Sequence, residues 1–123
     1  MREYVAVGER PLHWIGSSLK DIRRFPPQVQ RTAGFALSAA QHGGKHPSAK
    51  PWKGEGPGVL EVVADFDGDT YRAIYTVRFE QAVYVLHAFQ KKSSHGIATR
   101  QSDVALVRAR MKTAAQHYAE HYD

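Results

Sequence analysis

Asp67-Gly68, followed by the run from Asp69 to Phe79, narrows the choice of folds most. Asp-Gly between two apolar runs is the strongest hairpin signal in the chain, because a tight I′ turn needs positive φ at both central residues. Before it lies Val59-Leu60-Glu61-Val62-Val63-Ala64-Asp65-Phe66. After it, Tyr71, Ala73, Tyr75, Val77 and Phe79 occupy one parity, and Arg72, Ile74, Thr76 and Arg78 the other. That alternation predicts a strand with one fully apolar face. The next run, from Ala82 to Phe89, is nearly continuous in apolar residues and continues to Lys92. A strand buried on both faces reads that way, so it belongs in the middle of a sheet. Three hairpin-linked strands form an antiparallel meander.

The register has a consequence for charge. If Glu80-Gln81 is a two-residue turn, Arg72 lies opposite Phe89 and shares a face with His87 and Lys91. A one-residue slip exchanges Lys91 for Lys92. Either way an arginine and a lysine converge at one end of the hairpin, next to the basic cluster Gln90-Lys91-Lys92-Ser93-Ser94-His95. Converging cations without matching acids ordinarily meet an anion. The plainer reading of Arg72 is a surface ion pair with Asp65, Asp67 or Asp69.

The 123 residues suit one domain spanning 1–123, with residues 1–10 a loose lead-in and a short strand at Tyr4 to Val7. Lys+Arg is 17 against 12 Asp+Glu, a net charge of +5 that permits an anionic partner without naming one. Cysteine is absent, which excludes disulfides and thiolate metal sites and points to a reducing cytoplasm. No run approaches the roughly 18 apolar residues of a membrane span, and the N-terminus lacks the basic-then-apolar pattern of a signal peptide, so no membrane partner is expected.

The remaining elements follow from local signals. Pro11 to Gly16 reads as a short strand. Ser18 with Asp21 resembles a capping box opening a helix, with Leu19, Ile22 and Phe25 at helical spacing. Pro26-Pro27 ends it and starts another that runs to Gln41, with Val29, Ala33, Ala36, Leu37 and Ala40 inward and Gly43-Gly44 as the stop. The two make an αα-hairpin. Residues 42–58 read as a loop bearing Lys50, Trp52 and Lys53, with Trp52 either stacking on RNA or pinning the loop to the core. Thr99 is a candidate N-cap for a helix from Gln101 to Tyr118, with Val104, Val107, Met111, Ala114 and Tyr118 on its core face. Arg108, Arg110 and Lys112 fall elsewhere on its surface, and Ala119 to Asp123 should fray. The expected fold class is α+β: an αα-hairpin and a C-terminal helix covering one side of a mostly antiparallel four-stranded sheet. Only the first strand can lie parallel to a neighbour, since the two helices give it a crossover.

Several segments, in order, resemble the RelE/ParE superfamily of bacterial toxins, and most closely its HigB-like, phage-derived branch. They are Trp14 with residues 16–21, Phe25-Pro26, Gly34 with Ala36-Leu37, and Lys50-Pro51 with Lys53-Gly54. To these are added residues 58–61, Asp67 to Ala73 with Tyr75-Thr76-Val77, and Leu86 to Ser93. The resemblance covers about residues 11 to 118. It implies a RelE-like domain and a ribosome-dependent endoribonuclease (an mRNA interferase) that cuts mRNA and arrests translation. It also implies a cognate helix-turn-helix, HigA-like antitoxin, with operator DNA bound only through that antitoxin. The chemistry implied uses no metal or other cofactor: the ribose 2′-OH attacks the adjacent phosphate, giving a 2′,3′-cyclic phosphate and a 5′-OH.

The resemblance also assigns roles. Arg72, in the Tyr-Arg-x-x-Tyr context, matches a strand arginine that would clamp the scissile phosphate. Lys92 matches a second basic residue, and Lys91 beside it would hold a flanking phosphate. Lys50, Lys53 and Arg78 are candidate RNA contacts, and His95 or His87 would supply the general base. A histidine in a central apolar strand, as His87 is, more often fills a core position. Two departures stand out. Where RelE places lysines on the strand before Tyr-Arg, this chain has Glu61 and Val63, and no tyrosine matches the one RelE carries in its last segment. Two further readings therefore stay open: a ParE-like inhibitor that binds DNA gyrase without cutting, and an inactive phage remnant that only binds an antitoxin.

Overall fold

The computed structural model describes residues 9–91 and 101–122. The strand expected at Tyr4 to Val7, the Thr99 cap, Lys92, His95 and Asp123 lie outside them. The elements are β1 (Leu12–Trp14), α1 (Ser18–Ile22), α2 (Pro27–Gln41), β2 (Ala49–Pro51), β3 (Val59–Phe66), β4 (Asp69–Thr76), β5 (Val83–Lys91) and α3 (Gln101–Tyr122). They form a mixed sheet of order β1-β5-β4-β3-β2, in which only β1 is parallel to its neighbour. The α1–α2 crossover gives β1 that direction, as expected.

The sheet has five strands, not four. The extra one, β2, sits inside the presumed loop and pairs antiparallel with β3 through Ala49↔Val62, Lys50↔Glu61 and Pro51↔Leu60. Three residues are too few to show an alternation, and Pro51 is tolerated because the strand is at an edge. Asp67 and Gly68 have φ of 55° and 86°, the I′ turn that the Asp-Gly pair demands. β4 stops at Thr76, short of Phe79. There the Thr76 hydroxyl donates to the Gly58 carbonyl and accepts the Arg78 N–H, at 2.8 and 3.1 Å.

The β4–β5 pairing contains a bulge. Arg72 faces Phe89 and Ile74 faces His87, the pairs a two-residue turn at 80–81 would give, but Tyr75 then faces Val85 and Thr76 faces Tyr84, so the link is residues 77–82 and the bulge, not a tight turn, restores the expected register. Leu86 is the extra residue, and it changes which parity of β5 points where. Val83, Val85 and Ala88 pack with α1 and α2, whereas Tyr84, Leu86, His87 and Phe89 turn to α3. A strand with a parity break in a two-sided sheet reads as a continuous apolar run, which explains the sequence between Ala82 and Phe89.

The helices therefore do not share one side of the sheet. α1 and α2 pack Ile22, Val29, Ala33, Ala36, Leu37 and Ala40 on Val62, Tyr71, Ala73 and Tyr75. α3 packs Val107, Met111 and Ala114 on Val59, Ile74, Tyr84 and Leu86, which lie on the opposite face. Ile74 and Ala73 are adjacent in β4 and so must point to opposite faces. Helical periodicity shows which residues of a helix are buried but not which face of a sheet buries them.

Corrections at the helix ends have local causes. Ser17, not Ser18, caps α1, and its hydroxyl donates to Asp21 Oδ2 at 2.7 Å. Ser18 is buried and donates to the Val85 carbonyl. Arg110 is not a surface side chain: it donates to the Leu86 carbonyl at 3.0 Å and to Ser17 Oγ at 3.1 Å, and so occupies the bulge. α3 does not fray at Ala119. Its last turns are held by Tyr118 stacked on Phe79 and by Tyr122 Oη 2.7 Å from His13 Nε2. His117 Nδ1 lies 2.7 Å from Tyr84 Oη in the same aromatic cluster. Burial, together with the neighbouring His117 and His121, lowers the His13 pKa below its ordinary value.

Candidate functional site

Register alone assembles a polar surface on the α3 side of the sheet. One row across the strands reads Lys50, Glu61, Ile74, His87. The next reads Val63, Arg72, Phe89, and the third Asp65, Thr70, Lys91. Residues directly opposite in such rows are about 5 Å apart and share a face. Arg72 and Lys91 thus lie on neighbouring strands in adjoining rows, while the unforeseen strand β2 puts Lys50 on the same face, two strands from Arg72 and three from Lys91. Lys50 is exposed, and Arg72 and Lys91 are partly exposed.

At the centre of this surface is an ion pair that the sequence did not announce. Arg72 Nη1 lies 2.5 Å from Glu61 Oε1, with the two side chains only 17% and 10% exposed. The aspartates proposed as its partners are not used: Asp65 accepts a hydrogen bond from Thr70 Oγ1 at 2.8 Å. Glu61, which stands where RelE has a lysine, is one strand and one diagonal from Arg72, the reach of a cross-strand pair. The guanidinium is only partly used. Arg72 Nε is buried and has no hydrogen-bond partner among the described residues.

A second polar pair borders the first. His87 is buried, and its Nε2 is 2.8 Å from Asp103 Oδ1 in the first turn of α3. With Nε2 donating to the carboxylate, the ring orientation is fixed. His87 Nδ1 is buried too and has no partner among the described residues. The core reading of His87 is right about burial, with Asp103 as the partner of one ring nitrogen. Asp103 was missed by the sequence reading. The available signal was His87 itself, since a polar ring in an apolar strand requires a partner from the element packed over it.

The other candidates separate. Trp52 is buried in the α3-side core, so it pins its loop and does not present a stacking face. Arg78 donates to the Glu55 and Pro57 carbonyls at 2.7 to 3.1 Å, which ties its guanidinium to the loop backbone. Arg108 also grips that loop, at Glu55 Oε1 and the Gly54 carbonyl. Lys53 is exposed on the loop that carries Trp52. Lys92 and His95 lie outside the described residues. Among the described residues, no group of three or more His, Asp or Glu has the geometry to hold a metal ion.

Residues 20–112 match the family described as phage derived protein Gp49-like (DUF891). The chain belongs to this family. It is a family associated with RelE-like toxins of toxin–antitoxin systems. Among curated proteins, none matches the chain. Lys50, Glu61, Arg72, His87, Lys91 and Asp103 of this surface fall within the matched span of this Gp49-like protein. No helix among the described residues is long and apolar enough to cross a membrane.

Proposed function

We propose that this Gp49-like protein is the toxin of a type II toxin–antitoxin system, on the HigB-like side of the RelE superfamily, and that it cuts ribosome-bound mRNA. The observation that carries the reading is the placement of Arg72 and Lys91 in adjoining rows of neighbouring strands on one face of the sheet, with Lys50 on the same face two strands from Arg72. In-line attack by a 2′-OH on its own phosphate concentrates negative charge on the non-bridging oxygens. Fixed cationic donors stabilise that charge without a metal. Arg72 is the clamp: its backbone is held in a central strand, and its side chain is partly exposed on that face. Lys91 and Lys50 flank it and grip the neighbouring phosphates. The expected partners are the ribosome with its mRNA and a small helix-turn-helix antitoxin.

The test is induced expression in bacteria of the wild type, Arg72→Ala and Lys92→Ala, followed by primer extension on an abundant mRNA. The expected result is growth arrest with new cuts inside translated codons, both lost in the variants. Arrest without cuts would move the target to another process, with gyrase supercoiling measured next. Normal growth in the presence of folded, soluble wild type would reject the toxin reading.

A further inference from the structure

The face that α3 turns to the sheet changes character along its length. Val107, Met111 and Ala114 pack in the aliphatic core. Residues three and four apart share a helix face, and the next positions at that spacing are His117, Tyr118, His121 and Tyr122. This second half is fastened by polar and ring contacts. His117 Nδ1 is 2.7 Å from the hydroxyl of Tyr84, a fully buried residue of β5, and Tyr122 Oη is 2.7 Å from His13 Nε2 on β1. The Tyr118 hydroxyl accepts the Gln81 N–H at 3.1 Å. The three imidazoles form a chain. Ring centres are 4.6 Å apart between His13 and His117, and 4.1 Å apart between His117 and His121, which are stacked. Among the described residues, none of the three rings has a carboxylate as a partner. The titratable and charged groups around them are Tyr84 from β5, Tyr118, Glu120 and Tyr122 from α3, and Glu80 beside Gln81 on the link 77–82, both glutamates being exposed. Arg110, further back on α3, is committed to the Leu86 carbonyl and Ser17.

We propose that His13, His117 and His121 form an acid-released latch, which holds the last two turns of α3 on β1 and β5 while the rings are neutral and frees them when the rings take up protons. The proposal is independent of the nuclease reading. Imidazolium rings at these separations repel, and no partnered carboxylate offsets the repulsion. His117 and His121 travel together on α3, so opening relieves their repulsion with His13 and returns all three rings to water. Burial and the two neighbouring rings already hold His13 below its ordinary pKa. A released imidazole titrates near 6.5, so proton uptake favours the open form below that pH and has no effect well above it. The core contacts of Val107, Met111 and Ala114 do not titrate, which confines the release to the end of the helix.

The test is backbone hydrogen exchange of the full chain at pH 7.5 and 5.5, read as protection factors so that the intrinsic pH dependence of exchange cancels. Protection over residues 116–122 should fall about tenfold at the lower pH, the uptake factor of one imidazole of pKa near 6.5 that the closed form keeps neutral. Residues 104–112 and α2 should change by less than about threefold, as separate opening units do. His13→Gln keeps a group able to bond Tyr122 but cannot be protonated, and it should reduce the pH effect at 116–122 to less than about threefold. A His13 that served packing alone would lower protection equally at both pH values and leave the pH effect intact, which overturns the proposal. Protection at 116–122 that changes by less than about threefold in the wild type, or that falls in step with α2, overturns it as well. If His13→Gln fails to fold, His121→Gln at an exposed position decides the same point: a smaller pH effect supports the latch, and an unchanged one overturns it.

Discussion

Gly16→Ala should destabilise the protein by about 3 kcal/mol, although the residue lies outside the proposed site. Gly16 has φ of +57°, and a Cβ built there would sit 2.8 Å from the Arg110 guanidinium carbon and from two of its nitrogens. A left-handed conformation costs a residue with a Cβ about 1 kcal/mol. The larger cost is displacement of Arg110, whose hydrogen bonds to the Leu86 carbonyl and Ser17 Oγ span the β5 bulge. A hydrogen bond from a charged donor is worth about 1.5 to 3 kcal/mol, and losing the one that caps the bulge carbonyl brings the total to about 3. The assay is urea denaturation of Gly16→Ala, Arg110→Ala and the double variant. If the clash is the cause, Gly16→Ala in the Arg110→Ala background should cost only the backbone term, about 1 kcal/mol, leaving a coupling of about 2. A Gly16→Ala cost below about 0.5 kcal/mol, or one that Arg110→Ala leaves unchanged, would refute the reasoning.

Other outcomes follow from single contacts. The Tyr75 hydroxyl is buried without a partner among the described residues, and burial pushes its pKa up to about 12. Tyr75→Phe should therefore be neutral or stabilise by up to about 1 kcal/mol in urea denaturation. Tyr84 is also raised to about 12 by burial and the nearby Tyr122 and Tyr118, so stability should be full below pH 10 and fall from pH 10 to 12 as the unfolded chain ionises first. His13 has the opposite sign. Its lowered folded pKa means the unfolded chain binds the proton first, so stability is full above about pH 6.5 and is lost as pH falls below it, and His13→Gln should flatten that slope in melting curves. Arg72→Ala leaves the Glu61 carboxylate largely buried and alone, which should cost about 2 kcal/mol, whereas Arg72→Leu with Glu61→Leu should recover part of it in thermal melts. Arg78→Ala removes three hydrogen bonds to the 55–57 backbone, so trypsin should cut at Lys53 faster than in the wild type.

Local chemistry determined a good deal of this fold from the sequence. Asp67-Gly68 set the I′ turn, and the alternation after it put Tyr71, Ala73 and Tyr75 on one face. Pro27 and Gly43 bounded α2, because one residue lacks an N–H and the other takes φ of 86° without strain. These signals are local: each depends on residues a few positions away.

What tertiary structure alone decided involves a partner distant in sequence. The bulge at Leu86 exists because two residues of β5 oppose one step of β4 and Arg110 of α3 supplies the donor for the spare carbonyl. That bulge turns both Leu86 and His87 toward α3, where Asp103 meets the ring. The face chosen by α3, the strand β2 that brings Lys50 alongside Glu61, and the choice of Glu61 over three nearby aspartates as the partner of Arg72 have the same origin. Each is settled by which surfaces are left to bury once the sheet has closed, and a residue carries no mark of that until its neighbours across the strands are in place.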